Sequence, residues 1–222
     1  MMKSIPMIKC LPVVCSLLWL SGCAQPVHDT GTVTPAVCCT TLEQLTPQAF
    51  NGKTSRALAF DAHTPRVAED NGSARTQVLA LPVLSRAYTL ELTTPVSDEQ
   101  FLAVQAVVYD ADWKPLKKLP YTAFEYRKPV LLEGHRLFAE IVVLPGEKAA
   151  RWLAISTVAH PQPDRLKLIA ESEIYAQKAQ VEAPLEQTRY ATAGEDGTLR
   201  VRINRVSALT NELINAVTGQ MD

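Results

Sequence analysis

Tyr88, Leu90 and Leu92 alternate with Thr89, Glu91 and Thr93. A period of two puts apolar side chains on one face and polar ones on the other, as in a half-buried strand. The same alternation runs through 136–144, where Leu137, Ala139, Ile141 and Val143 oppose Phe138, Glu140 and Val142. Shorter strands are predicted over 56–60, 75–81, 121–126, 151–158 and 198–203. Residues 101–109 (FLAVQAVVY) are more continuously apolar, which predicts one central strand covered on both faces. Turn residues separate these runs: 51–54, the hairpin loop Asp110-Ala-Asp-Trp-Lys-Pro115, and Gly194-Glu-Asp-Gly197.

Helical spacing appears only late. Asp164 fits a helix N-cap, and Leu166, Leu168, Ile169, Ile174 and Tyr175 then predict a helix to about Gln180, broken at Ala183-Pro184. At the end, 206–222 predicts an amphipathic helix through Leu209, Leu213, Ile214 and Val217. Residues 40–50 (TTLEQLTPQAF) carry Leu42, Leu45 and Phe50, a short helical or extended latch onto the body. Roughly eight strands with one inserted helix predict a mostly β chain, an antiparallel β-sandwich of jelly-roll type. The strand–helix alternation of a doubly wound sheet is absent, and so are internal repeats.

The first residues have another character. Lys3 and Lys9 precede an uncharged apolar run from Cys10 to Leu20, followed by Ser21, Gly22 and Cys23. A basic start, a short apolar core and small residues make a secretory signal, and the run falls short of the ~20 residues of a transmembrane helix. Leu20-Ser21-Gly22-Cys23 resembles the bacterial lipobox. The resemblance implies cleavage before Cys23, acylation of its thiol and amine, and a membrane anchor. Ala24 in place of Asp favours the outer membrane over the inner. The expected domains are a signal peptide, 1–22; a lipidated flexible tether, 23–37, polar and holding Pro26, Gly31 and Pro35; a sandwich, 38–205; and the C-terminal helix, 206–222. The expected location is the periplasm, on a membrane.

Charge narrows the function. Losing Lys3 and Lys9 with the signal takes two positive charges from a formal charge of −1, leaving −3. No basic face for nucleic acid is implied. Cys38 and Cys39 then remain without any other cysteine. Neighbouring Cα atoms lie about 3.8 Å apart, below the ~4.4 Å usual for a disulfide. Free or externally capped thiols, a vicinal bridge and an intermolecular bridge all stay open.

Chemistry is sparse. No nucleophile elbow, P-loop, zinc-protease helix or dinucleotide fingerprint occurs. His28 lies in the tether and His63, His135 and His160 in loops. The carboxylate pairs Glu69-Asp70 and Glu195-Asp196 sit beside glycines and read as solvated turns rather than an acid/base pair. No catalytic residue, metal or cofactor is expected, and the chain is expected not to be an enzyme. Trp113 in its hairpin, flanked by Asp110 and Asp112, with Tyr126 following, is the candidate sugar site: a ring for C–H faces and carboxylates for hydroxyls. The plainer reading packs Trp113 on the sandwich edge, with Tyr126 taking its hydrogen bond. Trp152, on an alternating strand, is expected in the core.

Several segments in order carry a family resemblance: Cys39-Thr-Thr-Leu-Glu-Gln-Leu45, Ala87-Tyr-Thr-Leu-Glu-Leu92, Val107-Val-Tyr-Asp-Ala-Asp-Trp113, Tyr121-Thr-Ala-Phe-Glu-Tyr126, Ile174-Tyr-Ala-Gln-Lys-Ala179 and Gly197-Thr-Leu-Arg-Val-Arg202. Together, over about 38–205, they resemble the maltose operon periplasmic protein family of Gram-negative bacteria. The resemblance implies an accessory role in maltose and maltodextrin transport, by sugar binding or scaffolding, with no catalytic motif to carry over. Its expected partners are the membrane through Cys23, maltodextrin, and uptake components such as a porin or transporter. The lipobox departs from the family's best-known, soluble form. The rival reading is a structural or interaction lipoprotein of the outer membrane that binds no sugar.

Overall fold

A computed structural model describes residues 37–69, 72–130, 133–144, 150–182 and 188–205. The signal peptide, the tether up to residue 36 and the C-terminal helix lie outside the described residues.

In chain order the strands are β1 (Val37–Cys39), β2 (Gln48–Ala49), β3 (Ser55–Phe60), β4 (Arg66–Glu69), β5 (Gly72–Ala80), β6 (Tyr88–Ser97), β7 (Gln100–Leu102) and β8 (Val104–Tyr109). They continue as β9 (Pro115–Leu119), β10 (Glu125–Arg127), β11 (Arg136–Val143), β12 (Trp152–Thr157), β13 (Arg165–Leu168), β14 (Arg189–Gly194) and β15 (Gly197–Arg205), with one α-helix, α1 (Glu171–Ala179), between β13 and β14. The first sheet runs β1-β4-β5-β12-β8-β9, with β2 added to β5. In the second, β6 has β11 and β10 on one side and β15 then β3 on the other, and β7 leads from its end to β14 and β13. Most pairings are antiparallel. Among the described residues, β1–β4, β2–β5 and β14–β7 are the parallel pairs.

The alternation read from the sequence builds the layers. Leu90, Leu92, Leu137, Ala139, Ile141, Leu199 and Val201 of the second sheet join Leu79, Val104, Ala106, Val108, Leu153 and Ile155 of the first in one core. The sheets therefore pack face to face as a sandwich.

Three predicted elements change. Residues 101–109 are two strands, because the chain passes at Ala103 from β7 in the second sheet to β8 in the first. In β8, Val104, Ala106 and Val108 are buried while Gln105, Val107 and Tyr109 are half-buried, so one face is only partly covered. Residues 121–126 open as a 3-10 turn, Tyr121–Ala123, whose phenol donates to the Pro163 carbonyl at 2.9 Å. The helix expected from Asp164 begins only at Glu171. Arg165–Leu168 is a strand held to β14, with Arg165 over the Tyr190 ring at 4.6 Å. Within α1, Glu171 and Glu173 occupy the first turn and Lys178 the last, complementing the helix dipole.

The turn at Glu195-Asp196, read as solvated, joins the two sheets. The Arg66 guanidinium meets the Glu195 carboxylate at 3.0 Å, and Arg75 pairs with Glu195 and Asp196. Gly197 closes that turn at φ +149°, where a Cβ would stand 3.0 Å from that of Leu102. The left-handed half of the backbone map and the close approach both favour glycine there.

Tyr88 gives the fold an alkaline limit. Its ring is almost fully buried, and that burial raises the phenol from its ordinary 10 to about 12. The unfolded chain ionises first, so stability is complete below pH 10 and falls as pH rises toward 12. Urea midpoints are expected to drop across that window, and to drop less in Tyr88→Phe.

Candidate functional site

The first sheet begins at its edge with β1, and the segment Cys39–Leu45 borders its outer face, away from the main core. Cys39 and Leu45 pack there with Val67, Val78 and Ala154 in a second apolar cluster, flanked by Leu42, Tyr109, Trp113 and Trp152. Of the three cysteine states left open, the structure has the vicinal bridge, Cys38 to Cys39. These are the only cysteines among the described residues, so no other intrachain partner is within this body. Alkylation without reduction is expected to leave the peptide carrying both unlabelled, and alkylation after reduction to label both.

Beside this strap the outer face is hollow. Strand register sets its floor: Gln105 opposes Ser156, Val107 opposes Ala154, and Tyr109 opposes Trp152. Thr40, Thr41 and Leu42 form one wall, Glu69 and Lys118 border the floor, and the groove encloses about 580 Å³. That volume is in the ordinary range for a small-ligand site. Burial, and secondarily the Glu69 charge, hold the Tyr109 phenol above its ordinary value. Ser156 Oγ shares a 2.9 Å hydrogen bond with Thr76 Oγ1.

The four sequence-predicted sugar residues do not form one site. Asp110 is buried, and its Oδ1 accepts the backbone N–H groups of Asp112 and Lys114, both at 2.9 Å. Its carboxylate is therefore occupied by its own hairpin, as Asp often is in turns. Asp112 is exposed. Trp113 holds a left-handed φ of 58°, and its ring stacks on Trp152 at 5.3 Å and 11°. Trp152 thus belongs to the outer face rather than the core. Tyr126 lies on the other sheet. Its oxygen accepts the Ile169 N–H at 3.1 Å and contacts His135 Nδ1 at 2.6 Å. Burial first, and the Arg189 charge second, hold the His135 imidazole below its ordinary range.

Tyr109 and Glu69 are the groove residues that the sequence reading passed over. Tyr109 stood within a run read as covered on both faces, and Glu69 was assigned to a turn. The polar residues breaking the 101–109 run, Gln105 above all, were the available signal. Among the described residues, no group of three or more His, Cys, Asp or Glu side chains is placed to hold a metal ion.

Residues 71–203 match the family model described as Maltose operon periplasmic protein precursor (MalM). The chain belongs to this family. The matched span holds the groove floor, whereas the wall at Thr40–Leu42 and the Glu69 border precede it. The quoted segment Cys39–Leu45 also lies outside the match. No curated protein matches the sequence. Among solved structures, CorA, a surface-associated copper-binding protein of Methylomicrobium album BG8, is similar at 13% identity and a TM-score of 0.31, over 73% of this chain and 98% of that one. A likeness that slight carries no argument about this protein.

Proposed function

We propose that this protein is a non-catalytic accessory of maltodextrin uptake, held at a periplasm-facing membrane by lipid on Cys23, and that it binds the sugar in the groove beside the N-terminal strap. The observation that carries the proposal is the groove's chemistry. A half-buried phenol on the floor can meet the C–H face of a pyranose, while the Glu69 carboxylate, Gln105 amide, Lys118 ammonium and Thr40 and Thr41 hydroxyls border it. Sugars are held by that mixture of ring and hydrogen-bonding groups. Family membership supports maltodextrin as the sugar.

Calorimetry with maltohexaose tests it, with saturable heat expected. No heat and no thermal shift at millimolar sugar would leave the rival reading, an interaction lipoprotein. One observation favours that rival: the Trp113 ring is spent on Trp152 rather than presented to a ligand. The anchor is tested separately. Cys23→Ala is expected to move the protein from the membrane fraction into osmotic-shock fluid, and an unmodified wild-type N-terminal peptide would remove the lipid from the proposal.

A further inference from the structure

The outer face of the second sheet holds a different constellation. Along β15, Leu199, Val201 and Ile203 turn into the core, so Thr198, Arg200 and Arg202 turn out. Register places Arg200 opposite Thr93, Thr93 opposite Phe138, and Arg202 opposite Glu91. Phe138 is thus a half-buried aromatic ring on a solvent-facing sheet surface, among arginines. The Arg127 guanidinium lies 5.2 Å from its centroid. The loop Glu133–His135 walls this surface into a groove of about 540 Å³.

Charge in the groove is unevenly satisfied. Arg136 is paired with Glu133 at 2.6 Å and Arg127 with Glu125 at 2.8 Å. Arg202 reaches Glu91 only at 3.9 Å, and Glu91 already accepts a hydrogen bond from the Asn204 amide. Among the described residues Arg200 has no carboxylate partner. The Cα atoms of Arg200 and Arg202, two positions apart on one face of the strand, lie about 7 Å apart along it, and each guanidinium presents a planar fork suited to phosphate or carboxylate oxygens. The chain as a whole carries a net formal charge of −1, so an arginine without a carboxylate partner beside one paired at 3.9 Å is a local feature.

We propose that this groove is a second binding site, for an anionic saccharide: a pyranose whose phosphate or carboxylate is held by Arg200 and Arg202 while its C–H face lies on Phe138. Glu91 and Thr93 are placed to meet hydroxyls. The site faces away from the maltodextrin groove and is independent of it. A free sugar phosphate and the phosphorylated sugar headgroup of a glycolipid share this chemistry.

The full chain is titrated with glucose 1-phosphate, glucuronate, glucose and inorganic phosphate, and separately with phosphatidylcholine vesicles with and without lipid A. Glucose 1-phosphate or glucuronate is expected to bind, with glucose and inorganic phosphate each about tenfold weaker or worse, because each lacks one half of the recognition. Arg200→Ala and Phe138→Ala are each expected to weaken binding about tenfold, and Arg200→Lys to weaken it less, keeping charge without the fork. Binding confined to lipid A vesicles, and sensitive to Arg200→Ala, identifies the headgroup as the source. Binding of no anionic saccharide in either form, or binding unchanged in Arg200→Ala, overturns the proposal. Arg200 is exposed, and a thermal melt checks each variant. Tyr109→Ala leaves this affinity unchanged if the sites are separate, whereas Arg200→Ala leaves maltohexaose binding unchanged, so each proposal fails on its own measurement.

Discussion

Leu92→Ala is expected to lower the unfolding free energy by about 3 kcal/mol, within the range for a buried Leu truncated to Ala. Leu92 has no exposed surface. It sits on β6 between Ala139 of β11 and Val201 of β15, strands that pair with β6 along most of their length. Backbone hydrogen bonds pin β6 on both sides, so the layer can collapse only partly into the space left, and the cavity term adds to the lost transfer energy. Urea denaturation checks this: the midpoint is expected to fall with the slope unchanged. A loss below about 1 kcal/mol would mean that the two sheets do not close over this position as a dry core.

Tyr109→Ala is expected to weaken maltohexaose binding about tenfold or more, by removing the phenol ring that lines the groove. Tyr109→Phe is expected to keep most of the affinity, since the ring face remains and only the phenol is lost. The pair separates stacking from hydrogen bonding. The ring is only half-buried, so its truncation is expected to lower stability less than Leu92→Ala does. Unchanged affinity in Tyr109→Ala would place the sugar elsewhere on the molecule.

The parts of the fold legible in the sequence share one property. In β6, β11 and β15 one face is buried and the other solvated, so period two is written into each strand's own residues. The edge strand β9 and the inner strand β14 lack that contrast. In β9 (PLKKL) only Leu119 is buried, and β14 (RYATAG) buries only Ala191 fully. With most side chains of each at least partly exposed, neither strand showed in the pattern. Leu166 and Leu168 fit helical and strand spacing alike, and pairing with β14 decided between them. At the candidate site the hairpin loop at Asp110–Pro115 was legible from its turn residues. The direction of the Trp113 ring was not, because its partner Trp152 lies far along the chain.

By itself, then, the sequence determined a two-layer β body, its inward faces and the family to which it belongs, because alternation and local motifs depend only on neighbouring residues. Tertiary structure alone decided the two grooves. Gln105 and Tyr109 share a groove with Ser156 and the Thr40–Leu42 wall, and Phe138 and Arg200 line one groove from either side of Thr93, through the register of strands distant in sequence. A single-residue slip would turn those side chains to the other face. Long-range pairing of this kind leaves no mark in any short window of the chain.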